Sequence, residues 1–439
     1  MVFTARLYWV LIAVAGVMCL APLSPVFLRF AQVADALILI LFCLDFWLTQ
    51  KTSFLTAKRA LSDRLSIGRR NSVLLTVENN GAMALDCRLV DSFPDAIEAS
   101  PEEFAFAIAP GALTQLEYFL TPRRRGAYEF GRTFIRYRSV FGLFSFERVI
   151  DNKQNVKVFS DIIALNELSI RLSRSNELGE LHRNKRGQGT DFSSLKEYVV
   201  GDDNKKIDWK ATARRDKPIL RTYEVEQEQR LLVLVDAGRM MVSDLEGLTR
   251  FDHALNAALA LVLTGLHHND AVGIGIFADR PLLYMPPRRG KGYLQKILEA
   301  TYNVQPSMVE PDYPTMLSYF ASQQKGRALV VLLTDLTDPS GSEALLTGLV
   351  ALRKRHLPMC VTLNDRQILS LSQPNPAVEN QEKAVSPFKR AVAIDLISQR
   401  SLALNVLQRQ GCLVLDKPPQ DLSTGLIDSY LDVKRRALI

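Results

Sequence analysis

The sequence predicts a chain in three parts: two transmembrane helices, then a β-sandwich-like region, then an α/β doubly wound domain. Three observations carry the prediction. No charged residue occurs from Leu7 to Leu28, and a membrane-spanning helix needs about 20 such residues. From about Leu55 to Ser160, short stretches of alternating character are separated by turn residues, the pattern of an antiparallel sandwich. From Leu231 onward, continuous apolar runs alternate with helical periods, as in a parallel sheet covered by helices. Composition agrees, since 439 residues at about 150 per domain suggest three units and a hydrophobic content of 47% excludes a disordered chain.

Within residues 1–50, a second apolar run from Phe30 to Leu48 is interrupted by the charged residues Asp35 and Asp45. Pro22, Ser24 and Pro25 lie between the runs and supply a turn, so a helical hairpin is expected. Lys51, Lys58, Arg59, Arg64, Arg69 and Arg70 follow the second run, whereas only Arg29 lies between the two. The positive-inside rule then places both termini in the cytoplasm. Asp35 and Asp45 are expected near the helix ends, where headgroups and water solvate them. They are either interfacial anchors and helix contacts or members of an ion relay.

Residues 51–160 form the β-sandwich-like part. Leu74 to Glu78 precedes the turn Asn79-Asn80-Gly81, and Cys87 to Asp91 precedes Pro94. Leu116 to Leu120, Phe134 to Tyr137 and Val156 to Phe159 continue the series of short strands. The basic cluster Arg123-Arg124-Arg125 reads as a strand-connecting loop or as a contact for an anionic partner.

Residues 161–229 read as a linker. Gly187 and Gly189 belong to no phosphate-binding loop, because neither G-x-x-x-x-G-K-[ST] nor a strand-bounded G-x-G-x-x-G accompanies them. Asp202, Asp203 and Asp208 lie among Lys205, Lys206, Arg214, Arg215 and Arg221. That mixture suits an ion-pair network with Trp209 as its apolar anchor, or a partner-binding surface.

Residues 230–439 supply the doubly wound domain. Strands are expected at Leu231 to Val235, Ala271 to Ala278, Leu282 to Met285, Ala328 to Leu333, Met359 to Leu363 and Cys412 to Leu415. Helices are expected at Phe251 to Leu266, Leu294 to Tyr302, Leu345 to Leu352, Ile394 to Gln408 and Leu422 to Val433. Asn364 to Ser386, with Pro374 and Pro376, reads as a surface loop. Asp236 and Asp335 end two of the strands, where ligands collect in such folds. They either hold a hard divalent cation such as Mg²⁺ or cap the turns that follow.

The net charge of +7, from 54 Lys+Arg against 47 Asp+Glu, is too dilute for a dedicated nucleic-acid binder, so no nucleic-acid partner is expected. Five cysteines without a C-x-x-C pair exclude a disulfide scaffold and a cysteine-rich zinc site. No cluster of nucleophile and base stands out.

Glu197-Tyr198, Gly201-Asp202-Asp203, Ile207-Asp208-Trp209-Lys210 and Ala213-Arg214 resemble, in that order, the signature of a bacterial membrane family catalogued as domain of unknown function 58. The resemblance implies two N-terminal spans in the bacterial cytoplasmic (inner) membrane, a β-rich region and a von Willebrand factor A-like domain. It also implies a protein partner, a MoxR-type AAA+ ATPase, in complex maturation or envelope stress. An A-like domain carries D-x-S-x-S after its first strand, with a Thr and a second Asp from later loops. Here the motif reads Asp236-Ala237-Gly238-Arg239-Met240, so two hydroxyl ligands are missing, and Thr315 and Asp335 are the candidates for the rest. The expected function is a non-enzymatic, membrane-anchored adaptor or scaffold for protein–protein interaction. The alternative is a membrane-bound metal-dependent hydrolase in which Asp236 and Asp335 hold a metal-activated water.

Overall fold

The computed structural model describes residues 2–19, 25–52, 55–139, 141–179, 191–199, 207–215, 217–224, 229–290, 292–336, 339–372, 387–436 and 438. The chain divides into two compact units, Met1–Ile162 and Ile163–Ile439.

The first unit opens with strand β1 (Val2–Phe3) and helices α1 (Ala5–Met18) and α2 (Pro25–Thr52). Proline at the first helical position costs no hydrogen bond and presets the backbone, so α2 starts at Pro25, ahead of the expected Phe30. Asp35 therefore stands well inside the helix, not near its end. Among the described residues, α2 is the one helix long and apolar enough to cross a membrane. The 14 residues of α1 reach only about 21 Å.

Asp45 is completely buried. It accepts hydrogen bonds from the Ser139 hydroxyl (2.6 Å) and from the backbone N–H groups of Phe141 (2.9 Å) and Leu143 (3.3 Å). The Thr4 hydroxyl donates to the Gly142 carbonyl at 2.6 Å, and the Phe42 and Phe144 rings meet at 4.5 Å. The end of α2 is thus fastened to a turn of the β-region, and Asp45 is an anchor.

Eleven further strands follow: β2 (Leu55–Ala60), β3 (Arg64–Ser66), β4 (Asn71–Asn79), β5 (Leu85–Asp91), β6 (Ile97–Ser100), β7 (Glu103–Ile108), β8 (Leu113–Pro122), β9 (Gly126–Phe130), β10 (Thr133–Arg138), β11 (Phe144–Ile150) and β12 (Gln154–Phe159). They form sheets ordered β1-β11-β10-β5-β7, β2-β4-β8-β6 and β3-β12-β9. Strict alternation of buried and exposed side chains along β5 and β10 reflects the two-residue period that places one face on the core. Inside that core, Asp91 takes the Arg59 guanidinium, the Tyr118 hydroxyl and the Thr133 hydroxyl together.

The second unit begins with α3 (Ile162–Gly179) and an antiparallel pair, β13 (Asp191–Glu197) and β14 (Ile219–Glu224), separated by α4 (Trp209–Arg215). The region expected as linker therefore holds regular structure. Strand β15 (Arg230–Asp236) is followed by the short pair β16 (Asp244–Leu245) and β17 (Leu248–Thr249), then α5 (Arg250–His267), β18 (Ala271–Phe277), β19 (Pro281–Arg288), α6 (Gly292–Thr301) and α7 (Tyr313–Ser322). The remainder is β20 (Leu329–Thr334), α8 (Pro339–Arg353), β21 (Leu357–Leu363), α9 (Arg366–Ser372), α10 (Pro387–Arg409), β22 (Leu413–Lys417) and α11 (Pro419–Arg435).

Six strands pair in the order β19-β18-β15-β20-β21-β22. All pairings are parallel except that of the edge strand β19 with β18. The expected doubly wound sheet is present as a mixed sheet. Strands β15 and β20 are buried on both faces, which is why their sequences read as unbroken apolar runs. Helix α5 starts at a reciprocal cap between Thr249 and Asp252, an arrangement that satisfies two otherwise unpaired N–H groups. The chain order reverses at β15, which brings the carboxyl ends of β15 and β20 side by side at the switch point.

Candidate functional site at the strand ends

Asp236 closes β15 and is completely buried. One carboxylate oxygen accepts from the Gly238 N–H at 2.8 Å. The other accepts from the Thr334 hydroxyl at 2.7 Å and from the Tyr313 hydroxyl at 2.8 Å. Burial raises its pKa above the ordinary carboxylate value, and the donors from Thr334, Gly238 and Tyr313 oppose that rise without cancelling it. The same burial, with the charge of Asp236 beside it, pushes the Tyr313 phenol well above its usual range.

Asp335 follows β20 and is paired twice. Both guanidiniums come from elsewhere in the chain, Arg250 from the first turn of α5 and Arg400 from α10, the latter at 2.5 Å. Arg250 also reaches Asp365 at 3.4 Å, and Arg400 reaches Asp416 at 2.8 Å and the Leu363 carbonyl at 2.6 Å. Burial works against the charge on Arg400, but Asp335 and Asp416 more than compensate and raise its pKa. A single cross-link of ion pairs therefore ties the ends of β20, β21 and β22.

These residues do not fit a Mg²⁺ ion, which requires open oxygen ligands in near-octahedral array. The oxygens of Asp236 are taken by three donors, and Asp335 faces two positive groups that would repel a cation. A side chain at Gly238 would place its Cβ 2.9 Å from the Val309 carbonyl oxygen and 2.8 Å from Pro311 Cδ, so no hydroxyl could project there. Thr315 is exposed in the first turn of α7, where its N–H donates to the capping Asp312 at 3.1 Å. Tyr313, two residues earlier, is the one that reaches Asp236.

Part of the other predicted cluster is also placed. Asp208 caps α4, accepting from the N–H groups of Lys210 (3.0 Å) and Ala211 (3.1 Å). Its own N–H donates to the Ile219 carbonyl at 2.8 Å, and the Tyr198 N–H donates to the Pro218 carbonyl at 2.9 Å. Glu197 meets Lys217 at 3.4 Å in an exposed pair. Trp209 is not an internal anchor but is 72% exposed, and Lys210 and Arg214 are exposed beside it on the same short helix. Beneath it the buried Ile219 and Leu220 provide the apolar footing instead. Gly201, Asp202, Asp203, Lys205 and Lys206 lie outside the described residues.

Sequence reasoning missed Tyr313, Thr334, Arg250 and Arg400. A basic residue inside the otherwise mixed period of residues 394–408 was the available signal for Arg400. Nothing local marks Tyr313 as the partner of Asp236.

An α/β domain with a buried, fully engaged acid at its switch point is the class that this architecture defines. Residues 194–384 match the family described as "Protein of unknown function DUF58". Uncharacterized proteins of Mycobacterium bovis and Mycobacterium tuberculosis are 23% identical over 211 residues, a stretch that spans 48% of this chain and 65% of each relative. Among solved structures, the conserved hypothetical protein BatB from Bacteroides thetaiotaomicron is similar over 47% of this chain and 99% of its own, with 12% identity and a TM-score of 0.31. The SpRpn10 VWA domain is similar over 46% of this chain and 94% of its own, with 13% identity and a TM-score of 0.28. A PapD-like domain of human CEP192 is similar over 25% of this chain and 88% of its own, with 11% identity and a TM-score of 0.20.

Proposed function

We propose that this chain is a membrane-anchored, non-catalytic adaptor that presents its α/β unit to a protein partner in the cytoplasm. The observation that carries the reading is the exposure of Trp209, at 72%, on a helix whose backbone is fixed by the Asp208 cap and the Ile207–Leu220 bridge. A large aromatic side chain exposed to water on a fixed helix is a costly arrangement for a monomer and an effective anchor for an interface. Flanking Lys210 and Arg214 favour an acidic partner surface. Helix α2 serves as the anchor, with α1 packed beside it, and the basic residues after α2 keep the units on the cytoplasmic side.

The resemblance supplies a specific partner to test, a MoxR-type AAA+ ATPase. Affinity capture of the tagged full-length protein from native membranes, followed by mass spectrometry, should enrich such an ATPase. Trp209→Ala should abolish the enrichment without lowering the melting temperature, because the side chain is exposed. Capture that survives Trp209→Ala would remove this surface from the proposal, and absence of any ATPase under mild crosslinking would remove the partner. The hydrolase reading is disfavoured because Asp236 and Asp335 are spent on internal donors. Metal-dependent turnover that is lost in Asp236→Asn would reinstate it.

A further inference from the structure

Asp45 fixes the depth of α2. Its three hydrogen-bond donors come from an irregular turn of the β-region, the Ser139 hydroxyl and the backbone N–H groups of Phe141 and Leu143, and irregular backbone stays at the aqueous edge of a bilayer, since hydrocarbon leaves exposed backbone groups unpaired. Ten positions separate Asp45 from Asp35 along α2, a rise of about 15 Å. The hydrocarbon core is about 30 Å thick, so Asp35 lies at its middle. There it is exposed on the surface of the helix, as is Gln32 one turn away. A carboxyl group facing lipid at mid-depth is expensive and is ordinarily covered by another helix.

We infer that a second copy of this chain covers it. Gln32, Asp35, Leu39 and Cys43 recur at intervals of three and four residues and share one exposed stripe of α2. That stripe is self-complementary. Two copies inserted in the same orientation and related by a two-fold axis along the membrane normal bring the same residues to the same depth. The Gln32 amide of each copy then donates to Asp35 of the other, so both carboxyl groups gain a donor from an uncharged side chain. Leu39 packs against its counterpart, and the Cys43 side chains approach each other near the membrane edge.

The inference rests on the reading of α2 as a membrane span, and two measurements separate the two. Sedimentation of the full-length protein with alkaline-washed membranes tests the span. Copper-phenanthroline oxidation of the same membranes, read on non-reducing gels, tests the dimer. A disulfide-linked dimer should form in the wild type and in Cys19→Ser and be missing in Cys43→Ser. The double substitution Gln32→Leu and Asp35→Leu should lower its yield by about eightfold or more, since two interhelical hydrogen bonds of roughly 0.6–1.7 kcal/mol each correspond to a factor of about 8–300. Release of the protein by alkali overturns the span and the dimer together. Retention without a Cys43 dimer, a dimer indifferent to the double substitution, or a Cys43 adduct with a different protein overturns the dimer alone.

Discussion

Replacing Asp335 with alanine tests whether the strand ends are held by internal ion pairs. The Asp335 side chain is fully buried, and those of Arg250 and Arg400 are 9% and 13% exposed, so solvent screens the pairs little. Removing the carboxylate leaves two guanidiniums buried against each other and takes the acceptor from the Leu336 N–H as well. Breaking a buried pair in this way costs about 3–5 kcal/mol. At roughly 2–4 °C per kcal/mol for a domain of this size, the melting temperature should fall by about 6–20 °C. The assay is thermal unfolding of the full-length protein in detergent, monitored by circular dichroism with EDTA and again with excess Mg²⁺. The loss should be the same in both, and the wild type should melt at one temperature in both. Stabilisation of the wild type by Mg²⁺ that disappears in Asp335→Ala would show that the acid serves a metal and not the ion pairs, and a loss below about 2 °C, well under that range, would show that the pairs carry little stability.

Asp236 should impose a pH dependence. Its pKa is raised in the folded state, so folding binds a proton more tightly and stability falls as pH rises from the ordinary value of 3.8 through the raised one. Asp236→Asn should flatten the fall of the denaturant midpoint as pH rises above 3.8, and an unchanged slope would count against it. Gly238→Ser, which restores the motif hydroxyl, should destabilise by about 1–3 kcal/mol through overpacking and should confer no Mg²⁺ binding by calorimetry. Asp91→Ala in the β-region should cost about 3–5 kcal/mol, because Arg59 is left buried without its carboxylate. Chemical denaturation should register this as a lowered midpoint for the first unit.

Much of the fold was legible because it rests on local periodicity. The unbroken apolar runs of β15 and β20, the alternation along β5 and the turn at Asn79-Asn80-Gly81 declare their elements within a few residues. Other elements were hidden for local reasons as well. Helix α7 begins in a proline-bearing segment that reads as a loop, and it takes its stability from Leu317 and Phe320 packed into the core. Trp209 was misplaced because an indole is apolar in composition, while its exposure depends on which face of α4 meets Ile219 and Leu220.

Legible in the sequence alone were the main strands and helices of the β-region and the α/β unit, the strand ends at which acids would stand, and the family signature. What those acids do is settled by contacts between distant parts of the chain. Asp335 meets Arg250 and Arg400 across 85 and 65 positions of sequence, and Asp236 meets Tyr313 and Thr334 across 77 and 98. Asp45 likewise became an anchor through a turn 94 residues away. The physical reason is that apolar burial needs only a face and a period, both written locally. The role of a buried charge depends on the particular donors that folding brings to it from distant parts of the chain.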